Sequence, residues 1–264
     1  MTRLRIPQLA ADPREPFPDP RNALRSPDGL LAFGGDLSPQ RLLNAYAHGI
    51  FPWYSEGQPI LWWSPDPRMV FRSDGVHLSR RFRQQVKKLD WTIRADTAFD
   101  RVVLNCANSP RAGQSGTWIT TAMRVAYGQL HRLGHTHAIE VWDGALLVGG
   151  LYGVAIGRMF FAESMFSAVS GGSKVALAAL AGILHEWGWP LFDAQVESEH
   201  LLRMGATTLP RDAFLDIVAR QTALAAAAGP WTGSMGERGI DWLLDGSHEP
   251  NSAHGSTGSP RTEL

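Results

Sequence analysis

Between Lys174 and Trp187 polar positions all but vanish. Val175-Ala-Leu-Ala-Ala-Leu-Ala-Gly-Ile-Leu184 is apolar on every side of a helical wheel, and a helix apolar all round is a buried one. Elsewhere the apolar residues keep to one side. Leu42, Leu43, Tyr46 and Ala47 share a stripe that Ser38 opens as N-cap, Pro39 begins and Gly49 ends. Periodicity also predicts helices over 79–89, 97–105 and 118–133, and near 197–204 and 211–227. Shorter apolar runs predict strands over 69–72, 159–163 and 191–196. The runs 137–142 and 145–154 flank Asp143-Gly144, a strong turn signal, and read as a hairpin. Strands interleaved with helices imply an α/β (α+β) fold with a mixed sheet.

Eleven of the 17 prolines precede residue 68, but Phe51, Trp53, Tyr54, Trp62 and Trp63 lie in the same stretch. Linkers that never fold lack such aromatics. Residues 1–67 therefore read as a small N-terminal domain and 68–228 as the main one. From Gly229 on, Gly, Ser, Pro and His dominate, so 229–264 reads as a disordered tail. The first 30 residues have no apolar core of the secretory kind. The stretch 175–184 is about half a membrane span, and the single cysteine, Cys106, cannot form an internal disulfide. These features predict a cytoplasmic protein with no membrane partner. The formal net charge is +0, but residues 68–94 carry +6 and residues 191–264 carry −5.

On the 79–89 helix, Arg80, Arg83 and Lys87 form one stripe flanked by Arg81 and Lys88, with Phe82, Val86 and Leu89 opposite. Five cations without an interleaved acid are either a solvated face or a contact for a phosphate backbone. Phe160-Phe-Ala-Glu163-Ser-Met-Phe166 places the only acid between Asp143 and His185 in an apolar run. Burying even a neutral polar group unpaired costs about 2–7 kcal/mol, so Glu163 is either an outward residue of an edge strand or functional. Asp193 and Gln195, two apart on a strand, share a face. They orient a proton beside a carbonyl, or Asp193 is a helix cap or structural acceptor. Asp193, Glu197, Glu199 and His200 match no tight metal spacing.

Ser170-Gly-Gly-Ser-Lys174 lacks the order of a phosphate loop, although amides at a helix start attract anions. Gly149 and Gly153 share a strand face, a smooth floor for a close ligand backbone. Trp53, Trp62, Trp63 and Trp118 sit among Pro, Gly, Ser and Thr. Two of them are expected in the small domain's core. Aromatics near a basic helix also stack unpaired bases, worth about 1–3 kcal/mol each, which suggests a single-stranded RNA end.

With these residues in view, the chain resembles the leucyl/phenylalanyl-tRNA–protein transferases. The resemblance rests on GLLAFGGDLSPQRLLNAYAHGIFPWYSEGQPILWWSPDPR at 29–68, GTWIT at 116–120 and AYGQLHRLGHTHAIEVW at 126–142. It continues through LVGGLYGVAIGRMFFAESMFS at 147–167, LFDAQ at 191–195 and LLRMGATTLPRDAF at 201–214. It implies a larger domain similar to the GNAT acetyltransferase fold. It also implies transfer of Leu, Phe or, less readily, Met from aminoacyl-tRNA to proteins beginning with Arg or Lys, marking them for N-end-rule degradation. Carried over, Glu163, Asp193 and Gln195 match catalytic positions, and Trp53 and Trp118 those handling the terminal adenosine. Phe160, Met165, Leu180 and Phe192 fall on the side-chain pocket. Arg80, Arg81, Arg83, Lys87 and Lys88 fall on the face for the acceptor stem. Ala162, Gly172 and Leu180 depart from the residues common in the family, at places that bear on the pocket's shape.

Ester aminolysis is downhill, so such an enzyme positions two substrates and manages one proton. The expected roles are Gln195 and Asp193 orienting the amine and drawing off its proton, with Glu163 supporting that network or meeting the acceptor's cationic end. No metal, coenzyme A or other cofactor is needed, and a monomer suffices. Two other classes compete. A coenzyme A-dependent acetyltransferase needs a pyrophosphate loop, which 149–157 lacks. An RNA-binding module would not require Glu163, Asp193 and Gln195.

Overall fold

The computed structural model describes residues 6–109, 117–226 and 229–245. The N-terminal part holds strands β1 (Gln8–Leu9), β2 (Leu30–Gly34), β3 (Phe51–Pro52) and β4 (Leu61–Trp63), in the order β1-β2-β4-β3, with helix α1 (Pro39–Ala47) between β2 and β3. Ser38 caps α1 by accepting from the Arg41 N–H. Gly49 turns the chain at φ 69°, where a Cβ would lie 2.7 Å from Leu215 Cδ2, so only glycine fits. Buried Arg41 donates to the carbonyls of Ala10, Asp12 and Glu15 and fastens the proline-rich entry segment to α1.

The larger sheet is built from β5 (Arg68–Arg72), β6 (Trp91–Ala95), β7 (Thr136–Asp143), β8 (Leu146–Ile156), β9 (Met159–Ser167), β10 (Leu191–Gln195), β11 (Thr207–Leu209) and β12 (Arg238–Gly239). Its order is β11-β5-β10-β9-β8-β7-β6-β12. Every neighbouring pair is antiparallel except β9 and β10, and a parallel pair needs a crossover. Helix α5 (Gly172–Glu186) is that crossover, and residues 175–184 are buried throughout. The other helices are α2 (Arg80–Val86), α3 (Phe99–Asn108), α4 (Thr121–Arg132), α6 (Glu199–Arg203), α7 (Arg211–Thr222), α8 (Thr232–Met235) and α9 (Ile240–Leu244).

Alternating side chains of the sheet feed two cores. Phe160, Ile139 and Leu151 face α5, whereas Phe161, Ala138 and Tyr152 face α1, α3, α4 and α7. The second cluster also takes in Leu31, Leu42 and Trp62, so the small sheet packs onto the large one. Among the described residues, no helix is long and apolar enough to cross a membrane.

Three expectations change. Composition puts the start of the tail at 229, yet Trp231 stacks on His137 at 4.1 Å, β12 pairs with β6 and α9 packs on α5. A distant partner strand orders this locally polar segment. The expected tail residues 246–264 lie outside the described residues. The glycine floor is occupied: a Cβ on Gly149 would meet the Gly172 backbone at 2.3 Å, and one on Gly153 would meet Phe161 O at 2.3 Å. These glycines admit helix α5 and a neighbouring strand rather than a ligand, and Gly172 is required by the same close approach. Finally, the 79–89 helix ends at Val86, which leaves Leu89 39% exposed rather than on the buried side.

Candidate active site

The parallel ladder of β9 and β10 pairs Phe160 with Phe192 and Phe161 with Asp193, and there it stops. Glu163 and Gln195 stand two residues beyond, where side chains replace the ladder. Gln195 adopts φ 62°, a left-handed backbone that is rare for a residue with a side chain. Its Nε2 donates to Glu163 Oε1 at 2.6 Å. Two tyrosines reach the same carboxyl. Tyr46 of α1 lies 2.7 Å from Oε1 and Tyr127 of α4 2.9 Å from Oε2, with 2.6 Å between the two hydroxyls. Burial pushes Glu163 up from 4.5 to about 7; the hydrogen bonds with Tyr46, Tyr127 and Gln195 oppose that shift and the negative charge of Asp193 adds to it. Both tyrosines are pushed up as well, first by burial and then by Glu163.

Asp193 sits differently. Its carboxylate and the Arg68 guanidinium are both fully buried and meet in a bidentate pair at 2.8 and 2.6 Å. Asp193 Oδ1 also accepts from the Gln195 N–H at 2.9 Å. Arg68 lies over the rings of Phe51 and Phe214 and donates to Gly49 O at 3.0 Å. Thus Asp193 is a structural acceptor that fixes the backbone under Gln195. It faces Arg68 rather than open space, and it reaches Gln195 through the backbone N–H.

A groove of about 890 Å³ is lined by Trp53, Trp63, Trp118, Thr120 and Arg124 among others. It brings Trp53 and Trp118 together from distant parts of the chain. Trp63 Nε1 donates to Trp53 O at 2.7 Å, while Trp62 is fully buried. Thr120 and Thr121 line the groove, and the same helix α4 carries Tyr127 to Glu163. At 1.5 Å per residue, Tyr127 stands about 10 Å along the axis from Thr120. Phe160, Leu180 and Phe192 are fully buried in the core on the α5 side, and Met165 lies at its margin.

The charge imbalance narrows to one surface. Of the cations between 68 and 94, Arg68 is buried, Arg72 pairs with Asp74, Arg94 pairs with Glu237, and Arg83 donates to Leu244 O at 2.7 Å. Arg80, Arg81, Lys87 and Lys88 are the exposed ones on and just after α2. Acids of the C-terminal part are likewise engaged internally, Asp212 and Asp216 with Arg21 and Asp193 with Arg68.

Sequence reading misses Tyr46, Tyr127 and Arg68. Tyr46 counts there as part of an apolar stripe and Arg68 as part of a basic segment. The usable signal is that a buried phenol or guanidinium needs a partner, and Glu163 and Asp193 are the acids set in apolar runs.

The sequence model of the leucyl/phenylalanyl-tRNA protein transferases matches residues 70–219, and that of their N-terminal domain matches 35–66. A protein named leucyl/phenylalanyl-tRNA--protein transferase from Xanthomonas euvesicatoria pv. vesicatoria is 66% identical over 246 residues, covering 93% of this chain and 98% of that one. One of the same name from Xylella fastidiosa is 57% identical over 230 residues, covering 87% and 95%. Among solved structures, L-PGS from Bacillus licheniformis shows 10% identity at a TM-score of 0.35, over 65% of this chain and 57% of that one, a likeness too weak to bear on fold or function. With both domain models matched in order and relatives aligned nearly end to end, the chain belongs to the leucyl/phenylalanyl-tRNA protein transferase family.

Proposed function

We propose that this aminoacyltransferase moves Leu or Phe, and less readily Met, from aminoacyl-tRNA to the α-amine of proteins that begin with Arg or Lys, marking them for N-end-rule degradation. The observation that supports this most is that Thr120 and Thr121 at the start of α4 line the groove that holds Trp53 and Trp118, and the same helix carries Tyr127 to the Glu163–Gln195 junction. The tryptophans stack the terminal adenosine, α2 meets the acceptor stem, and the aminoacyl ester extends along α4 toward Gln195. The acyl side chain faces the Phe160, Met165, Leu180 and Phe192 cluster.

In the reaction the amine nitrogen attacks the ester carbonyl carbon. A C–N bond forms, the bond to the ribose oxygen breaks, and one proton passes from nitrogen to that oxygen. An α-amine with pKa about 7.7–8.0 is partly neutral already, so positioning matters more than a strong base. Gln195 accepts a hydrogen bond from the amine and aims it; Asp193 and Arg68 hold the backbone that carries Gln195. The test is to mix the protein with Leu-tRNA or Phe-tRNA and a peptide starting with Arg. Mass spectrometry should show one added Leu or Phe, and no acetyl group when acetyl-coenzyme A is supplied instead. A peptide unchanged by every charged tRNA would overturn the reading.

A further inference from the structure

The three oxygen–oxygen contacts around Glu163 pose a counting problem. Glu163 Oε1 to Tyr46, Tyr46 to Tyr127, and Tyr127 to Glu163 Oε2 are contacts of 2.7, 2.6 and 2.9 Å. An O···O contact of that length holds one hydrogen. Each tyrosine has a single hydroxyl hydrogen, so two hydrogens serve three contacts. If Glu163 is ionised and both phenols donate to it, the shortest contact, between the phenol oxygens, sets lone pairs face to face. If one phenol donates to the other, a contact to the carboxylate is left empty. Only a third hydrogen, on Glu163 itself, fills all three.

The surroundings agree. From α1 and α4 the groups that face Glu163 are Tyr46 and Tyr127, and Tyr152 of β8 stacks edge-on against Tyr127 at 5.6 Å. From β10 come Gln195 and the negative charge of Asp193. The cation of β5, Arg68, is held by Asp193. Glu163 thus has neutral donors and an anion for company, the reverse of what stabilises a buried carboxylate.

We propose that Glu163 works as a neutral carboxylic acid whose proton closes a ring of three O–H···O bonds through Tyr46 and Tyr127, and that this ring is a positioning device for Gln195. In the ring Oε2–H donates to Tyr127, Tyr127 donates to Tyr46, and Tyr46 donates to Oε1, which also accepts the Gln195 amide. The amide nitrogen of Gln195 is thereby committed, and its carbonyl is the end offered to the acceptor amine. Neutrality has a chemical purpose. A carboxylate within about 4–6 Å of the attacking amine would favour its protonated form, which cannot attack. This inference rests on the transfer reading above, and Tyr46, Tyr127 and Glu163 are positioning residues within it.

Glutamine reproduces the ring: its oxygen accepts from Tyr46 and Gln195, and its N–H donates to Tyr127. Glu163→Gln should therefore rescue much of what Glu163→Ala loses. We expect Glu163→Ala to lose about a hundredfold in transfer rate and Glu163→Gln no more than about tenfold. Infrared spectra of the full chain, recorded without substrate at about pH 6, where ordinary carboxyls are ionised, should show a carboxylic acid C=O band that is absent in Glu163→Gln. Tyr127→Phe should move that band to higher wavenumber, because the Glu163 O–H then lacks its acceptor. A wild-type spectrum without the band, or a Glu163→Gln protein as impaired as Glu163→Ala, would overturn the ring. A wild-type protein that shows the band yet transfers nothing would instead overturn the transfer reading, and the positioning role with it.

Discussion

Asp193 and Glu163 are buried carboxyls on neighbouring strands, and their surroundings are opposite. Asp193 meets a guanidinium head-on and its partner is sealed between two aromatic rings. Glu163 meets two phenols and an amide, none of them charged. Removing one member of a buried, geometrically matched ion pair leaves the other stranded. A buried acid among neutral donors keeps a proton that can respond near neutral pH. The first arrangement serves the fold and the second is the one our proposal assigns to the chemistry, though residue type alone makes the two acids look alike.

The sharpest way to break this contrast is Asp193→Ala. It leaves the Arg68 cation buried and uncompensated, which should cost about 3–5 kcal/mol of stability. It also frees Gly49, whose carbonyl Arg68 holds at 3.0 Å, and with it the turn leading to Trp53. Urea unfolding should show a much lower midpoint than for Glu163→Gln, which keeps every hydrogen bond of its cluster. If both variants unfold at the wild-type midpoint, Asp193 is not the structural member of the pair.

pH separates the two acids by a smaller effect. Glu163 is raised from 4.5 to about 7, so the folded state keeps a proton that the unfolded chain gives up. Its contribution to stability is therefore fully present below about pH 4.5 and is lost as pH rises through about 7. The slope across that window is at most about 1.4 kcal/mol per pH unit. Thermal or urea unfolding between these limits should show wild type losing stability relative to Glu163→Gln as pH rises. Parallel curves would show that the carboxyl does not carry the shift.

How much of this is legible in the sequence depends on where the deciding interaction lies along the chain. The apolar run of α5 and the Asp143-Gly144 hairpin are local patterns, and they are where the sequence puts them. β6 alternates correctly, with Trp91, Ile93 and Ala95 inward, but it is short and follows a basic helix, so the sequence does not announce it. The segment 231–245 is ordered by β6, far back in the chain, and by Asp96, which accepts from the Trp231 N–H. Within the site, Glu163, Asp193 and Gln195 stand out as polar residues in apolar runs. Tyr46 and Tyr127 do not, because a stripe counts tyrosine as apolar while its hydroxyl decides the site. Nor does Arg68, because a charge count cannot tell a sealed cation from an exposed one.

The groove extends the contrast from carboxyls to aromatics. Trp62 is core, whereas Trp53 and Trp118 are half-buried and line open space. Trp53→Ala and Trp118→Ala should each weaken charged-tRNA binding by about 1–3 kcal/mol, seen as a higher KM for aminoacyl-tRNA at nearly unchanged melting temperature. Trp53 supports Trp63 through its backbone carbonyl, which the substitution spares, and through a tilted ring contact at 5.7 Å, which it removes. A melting loss that accompanies the KM change would make these two tryptophans structural instead.

The smallest effects belong to the basic helix, where the same distinction divides one stripe. Arg83 is tied to Leu244 O, so Arg83→Gln should loosen α9 and show as a modest stability loss. Arg80, Arg81, Lys87 and Lys88 are exposed, and each should act only through phosphates. Replacing these four with Gln should leave stability alone and lower tRNA affinity equally for Leu and Phe forms, since the phosphate backbone carries no acyl information. The diagnostic quantity is the slope of log affinity against log salt. It should become shallower by roughly 0.7–0.9 for each phosphate that the variant no longer neutralises. Affinity at one salt concentration responds equally to a missing cation and to a small rearrangement of the helix, but the slope counts released counterions. An unchanged slope in the fourfold variant would make this face a solvated surface and send the acceptor stem elsewhere.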